Sequence, residues 1–335
     1  MTIKDLAEKT GYAVATVSRA LNGHPNVSEK ARAAILQAAD ECGFQLNTNA
    51  KQLKQQHANS ILMVVKGTSN ELFSELVESI QNLMADSPHP LLVDYMDEDE
   101  NEVLRAVRLA REKKPMGILF LGGNSLNFQR DFDKISIPCV LVTNDASNLT
   151  FPNLSSVYVD DRQACRCAMD ALIALGHRRF VVIGGDRTIS DTSRLRYEGC
   201  LDSLRSHSIP FDEELDYQSI RFSYSDGYKA AARLLAVGRK FTALIAASDV
   251  MAIGAIRALW DHGLRVPEDI SVMGFDGLPL GSYLVPQLST IAQPVQMLAQ
   301  RSVEILMGCI DGEPSRHEIV AFTLCQREST RRLSE

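Results

Sequence analysis

The chain is 335 residues long, with 45% hydrophobic residues, 23% charged residues and a formal net charge of −7. That length predicts two or three domains with real cores, and no run of about 18 apolar residues is present to span a membrane. The start, MTIKDLAEKT, lacks the basic end and apolar run of a signal peptide, so a cytoplasmic protein is expected.

Residues 1–44 read as three short helices. The first runs from about Ile3 to Lys9, with Thr2 as its cap and Gly11 as its breaker. The second runs from Val14 to Leu21 and exits at Asn22-Gly23. Ser28 caps the third, which reaches about Cys42 and presents Ala31, Ile35, Ala38 and Ala39 on one face. Leu6, Val17, Leu21, Val27, Ile35 and Phe44 are the expected core. The charge of this part differs in sign from the rest. Residues 1–57 hold seven basic residues against five acidic ones, and the remainder holds 28 against 37.

Residues 45–59 form a linker with too few apolar residues to fold alone, although Ala50 and Leu53 share a helical face. From Ile61 onward, strand-like runs (ILMVV, PLLVDY, GILFLG, PCVLVT, SSVYVD, then RFVVIGG, TALIAAS, ISVMGFD) alternate with amphipathic stretches. This alternation predicts doubly wound parallel sheets, in two lobes because there are too many units for one sheet. The acidic run MDEDENE at 96–102 reads as a solvated helix start. The seven cysteines show neither metal nor disulfide spacing, so free thiols are expected, with no metal and no cofactor.

Two helices joined by a glycine-containing turn, the second bearing ATVSRALNG, form a helix-turn-helix pattern. The whole stretch TIKDLAEKTGYAVATVSRALNG, followed by VSEKARAAILQAADECGF, resembles the DNA-binding headpiece of the LacI/GalR family of bacterial transcription regulators. ALGHRRFVVIGG, RLRYEGC, AASDVMAIGAIRAL, VPEDISVMGFDG and LSTIAQP resemble that family's later landmarks, in order. The resemblance implies a headpiece at 1–44, a hinge helix at 45–59 and an effector-binding and dimerisation body at 60–335. The body would be a two-lobed, type I periplasmic-binding-protein-like fold. Its N-lobe would hold about 60–160 plus 290–320, and its C-lobe about 161–289 plus 321–330.

The implied function is an allosteric, homodimeric repressor that binds a pseudo-palindromic operator in double-stranded DNA and is controlled by a small effector. By resemblance, Thr2, Val14, Ala15, Thr16, Ser18, Arg19, Asn22 and Asn26 face DNA. Small side chains at the start of the second helix suit close approach to a major groove, and Arg19 suits a guanine edge or a phosphate. Asn47, Ala50 and Leu53 match the hinge, whose leucine wedges into the minor groove. Leu46 stands where the family has a proline.

Effector residues implied by the same resemblance are Ser69, Asn70, Phe73, Asn124, Asp161, Arg196, Phe222, Asp249 and Asp276, with Thr68 beside them. Carboxylates and an arginine fork suit the hydroxyls of a sugar, and an aromatic ring suits its C–H face. Taken singly, Asp249 reads as a helix cap, Asp276 as a turn residue and Arg196 as a surface ion pair. SNELF replaces the family's SNPFF, with Glu71 for proline. Sugar, sugar phosphate and nucleobase effectors all remain open. A sugar-binding protein without a DNA role is the second reading. A Rossmann-type enzyme is the third, weakened because Gly184-Gly185 lacks dinucleotide spacing and His177 has no nucleophile near it in sequence.

Overall fold

The structure is a computed structural model that describes residues 3–21, 27–42, 59–67 and 70–333. It divides into two compact units, Met1–Gln56 and His57–Glu335.

In the first unit, α1 spans Ile3–Thr10, α2 Val14–Leu21 and α3 Glu29–Glu41. Gly11 stops α1 at φ +70, a conformation that side chains resist. Ser28 caps α3, its Oγ accepting from Ala31 N at 3.3 Å. Leu6, Val17 and Ile35 are fully buried, with Ala7, Ala20 and Ala39 around them. Leu21 and Val27, also expected in the core, are half-buried and pack against this cluster at its edge rather than at its centre, and Phe44 lies outside the described residues. The alanines take that place because small side chains let three short helices approach closely.

The second unit carries two six-stranded sheets. The first has the order β11-β5-β4-β3-β1-β2, where β1 is Ile61–Lys66, β2 Leu91–Met96, β3 Gly117–Leu121, β4 Cys139–Val142, β5 Leu154–Tyr158 and β11 His317–Ile319. All its pairings are parallel. Successive residues of β1 enter opposite core clusters, Ile61, Met63 and Val65 on one face and Leu62 and Val64 on the other. Helices therefore cover both faces. They include α4 (Glu71–Leu83), α5 (Glu102–Lys113), α6 (Ser125–Asp131) and the late α12 (Val295–Ile310).

The second sheet has the order β12-β10-β9-β8-β6-β7. Its strands are β6 Phe180–Gly184, β7 Tyr217–Ser219, β8 Ala243–Ala246, β9 Ser271–Asp276, β10 Ser289–Ala292 and β12 Thr323–Cys325. Its helices are α7 (Asp161–Ala174), α8 (Asp191–Ser206), the single turn α9 (Glu213–Asp216), α10 (Tyr224–Ala236) and α11 (Asp249–Asp261). The edge strand β12 runs antiparallel to β10, so this sheet is not wholly parallel. Glycines set the helix spacing. A Cβ at Gly254 of α11 would lie 2.1 Å from Tyr224 O, and one at Gly199 of α8 would lie 2.1 Å from Arg162 O.

The chain passes between the lobes three times, at 159–160, 293–294 and 320–322. The second passage comes later than expected from sequence. Residues 289–292 are β10 of the second sheet, so the return to the first lobe does not begin at 290. Val320 N donates to Tyr158 O at 2.8 Å, and Ala292 pairs with Thr323, so the third passage lies between the other two.

Candidate functional site

On the first unit, Val17 and Ala20 bury one side of α2. Val14 (42% exposed), Ala15 and Arg19 are exposed on the other, while Thr16 and Ser18 are half-buried between the two. A helix presenting small residues and one arginine outward has the surface a major groove admits. Thr2, Asn22, Asn26, Asn47, Ala50 and Leu53 lie outside the described residues.

In the second unit, the carboxyl ends of strands from both lobes enclose a cavity of about 620 Å³. Ligand sites in such sheets lie at these strand ends. Asn70, Phe73, Arg196, Phe222 and Asp276 line it, together with Lys66, Thr143, Asn144, Arg221 and Gln293, which sequence reasoning did not single out. Ser69 and Thr68 lie outside the described residues.

The centre of the wall is Arg196. Its Nε donates to Asp161 Oδ1 at 2.7 Å, Nη1 donates to the Ala247 carbonyl, and Nη1 stands 3.7 Å from Asp276 Oδ1. Its guanidinium also lies 3.5 Å from the centre of the Phe275 ring. Burial would lower its pKa, but Asp161 and then Asp276 outweigh that and raise it. Burial pushes Asp161 up, with the Arg196 guanidinium opposing the shift. Asp276 is pushed up to about 6 by burial, with Arg196 and the Gln293 amide opposing. It ends β9 at φ +115, a left-handed backbone that turns its carboxylate toward the cavity.

Three expected effector residues do not line the cavity. Asp161 is buried behind Arg196 and fixes the guanidinium's orientation. Asp249 is fully buried; its Oδ2 accepts from Gly277 N at 2.9 Å and Leu278 N at 2.7 Å, and its Oδ1 from Thr290 Oγ1 at 2.6 Å. It is not the helix cap either, since Ser248 Oγ fills that place. Asn124 caps α6, and its Nδ2 donates to Ile189 O of the other lobe at 2.8 Å. Each was implied by the resemblance and stands at a strand end or helix start, and each spends its polarity on the protein's own backbone or side chains.

Further bonds join the lobes around the cavity. Ser125 N donates to Asp191 Oδ2 at 2.7 Å, and Asn144 Nδ2 to Thr192 Oγ1 at 3.1 Å. Glu71 accepts from the Tyr224 hydroxyl. The acidic run is not simply solvated. Arg221 pairs with Asp97 at 2.7 Å and with Glu98, and Glu102 is fully buried against Lys66 at 2.5 Å. His177 is buried, with Thr242 Oγ1 and Arg331 O on its two ring nitrogens at 3.0 and 3.1 Å, and so serves packing. No group of metal-ligating side chains occurs among the described residues, and no helix among them is long and apolar enough to cross a membrane.

Comparison with known proteins places both units. The model for bacterial regulatory proteins of the lacI family matches residues 2–47, and that for the periplasmic binding protein-like domain matches 169–330. The HTH-type transcriptional regulator MalR of Clostridium butyricum is 34% identical over 98% of this chain and 99% of its own. The HTH-type transcriptional regulator GalR of Salmonella typhimurium is 31% identical over 98% and 95%. Among solved structures, the lac repressor dimer bound to operator and the anti-inducer ONPF matches with a TM-score of 0.74 and 26% identity, covering 99% of each chain. The helix-turn-helix surface, the two-lobed cavity and these full-length matches identify the chain as a DNA-binding transcription regulator, and it belongs to the lacI family of bacterial regulatory proteins.

Proposed function

We propose that this regulator is a homodimeric, non-enzymatic repressor whose grip on a pseudo-palindromic operator is set by a small ligand, a sugar or sugar derivative, held between the lobes. The observation that carries the ligand half is the buried Arg196–Asp276 pair at the wall of a 620 Å³ cavity. Buried charges are costly unless they are paired, and a pair open to a cavity is suited to orienting a polar ligand. Arg19, Val14 and Ala15 supply the base-facing surface, with Thr16 and Ser18 toward phosphates. Leu280, Tyr283 and Val285 form an exposed apolar run after β9, which favours a second copy of the chain as partner.

Ligand and operator would be coupled by linkage, so that each changes the other's affinity by the same factor. Arg196→Ala and Asp276→Asn should each keep operator binding while abolishing the ligand response. The test selects duplexes from a random pool with the full chain, then titrates sugars against the selected duplex. A variant that still responds normally would remove the cavity from the mechanism.

A further inference from the structure

We infer that the effector is an uncharged, hydroxyl-rich ligand bearing neither phosphate nor carboxylate, an inference that rests on reading the cleft as the effector site. Among the described residues lining the cavity, three have cationic side chains, and each is already neutralised. Lys66 is 2.5 Å from Glu102, Arg196 lies between Asp161 and Asp276, and Arg221 faces Asp97, Glu98 and, at 3.7 Å, Asp99. An anionic group entering here would lose its water and find no uncompensated positive charge.

The rest of the lining points the same way. Asp186 also faces the cavity and makes no ion pair with another described residue; its carboxylate accepts from Thr188 N at 2.8 Å and from Thr188 Oγ1 at 2.6 Å, bonds that pull its pKa down. Asp226 adds a further carboxylate, its nearest cation being the exposed Lys229 at 3.2 Å. The described lining is therefore rich in acceptors and negative in sign, which repels anions and suits hydroxyl donors.

A second, independent observation concerns Gln293. It is buried and lines the cavity, and its Nε2 donates to Asp276 Oδ1 at 2.9 Å. That bond fixes the amide's orientation, because a carboxylate needs the NH₂ side. Gln293 Oε1 is left buried with no hydrogen-bond partner among the described residues. An unpartnered buried acceptor is costly, and a hydroxyl-rich ligand offers O–H donors that would relieve it, whereas a carboxylate or a fully ionised phosphate group offers none.

The test uses the full chain and matched trios: glucose, glucose 6-phosphate and glucuronate, and the same set for galactose. Thermal shift yields a dissociation constant for each. The expected result is that a neutral sugar stabilises the protein and its two anionic relatives bind at least tenfold more weakly. An anionic relative binding as well as its neutral parent, or better, would overturn the inference while leaving the cleft as the effector site. No stabilisation in any arm, with the panel widened to pentoses and disaccharides and their phosphates, would overturn the cleft reading and this inference with it.

Discussion

Asp249 lies beneath the turn that follows Asp276, gripping the backbone at Gly277 and Leu278 through one carboxylate oxygen. The cleft acid is thus positioned by a second acid that does not line the cleft.

That arrangement makes stability depend on pH. Burial first, and then the nearby Asp276, push Asp249 up to about 8. An acid with a raised folded-state pKa binds more protons folded than unfolded, so its contribution favours folding at low pH. The contribution is lost as pH climbs from the ordinary carboxylate range, about 4, toward about 8. Asp249→Asn keeps an oxygen for the two N–H groups and offers an NH₂ to Thr290 Oγ1. Urea unfolding across this window should show a flatter decline in the variant. An unchanged decline would assign it to other groups.

Arg19 is exposed on α2 and takes no part in the small core. Arg19→Ala should leave the headpiece helices intact by circular dichroism. Binding to a selected operator should fall about 5- to 150-fold, the equivalent of losing a base or phosphate contact worth about 1–3 kcal/mol. Undiminished binding would remove Arg19 from the reading surface.

The headpiece core is small enough for one side chain to decide it. Ile35→Ala should cost about 2–5 kcal/mol, which is comparable to the whole stability of so small a unit. Limited proteolysis should then cleave within residues 3–42 while the body survives. A headpiece as resistant as wild type would contradict the burial of Ile35.

In the second lobe, Gly254→Ala sets a methyl against the Tyr224 carbonyl and should separate α10 from α11. Overpacking of this kind costs about 1–3 kcal/mol, sometimes more. Denaturant midpoints of the two proteins would measure it. An equal midpoint would show that the helices shift without penalty.

The strongly apolar strands could be read from sequence because strands buried on both faces are nearly continuous hydrophobic runs; β1 and β3 show why. β7, β10, β11 and β12 were not read as strands: β7, β11 and β12 are three residues long and partly exposed, β10 is four residues long with two hydroxyl side chains, and the pairing of each depends on distant strands. Arg196 and Asp276, which line the cavity, were picked out through the resemblance. Asp161, Asp249 and Asn124, picked by the same resemblance, do not line the cavity, because a match of position does not tell whether a polar group serves a ligand or the protein's own backbone. Lys66 and Gln293 carried no local signal. Their roles come from Glu102, 36 residues from Lys66, and from Asp276, 17 residues from Gln293.

The three side-by-side passages between the lobes have a mechanical consequence. One strap would let the lobes swivel in any direction, whereas three abreast resist twisting and leave one easy rotation, like a piano hinge. Asp161 begins the helix just after the first strap, and Gln293 sits within the second, donating to Asp276 through both backbone and side chain. A ligand held by Arg196 or Asp276, as proposed above, would therefore pull on the hinge itself, and its binding work would go into that single rotation rather than being scattered among many.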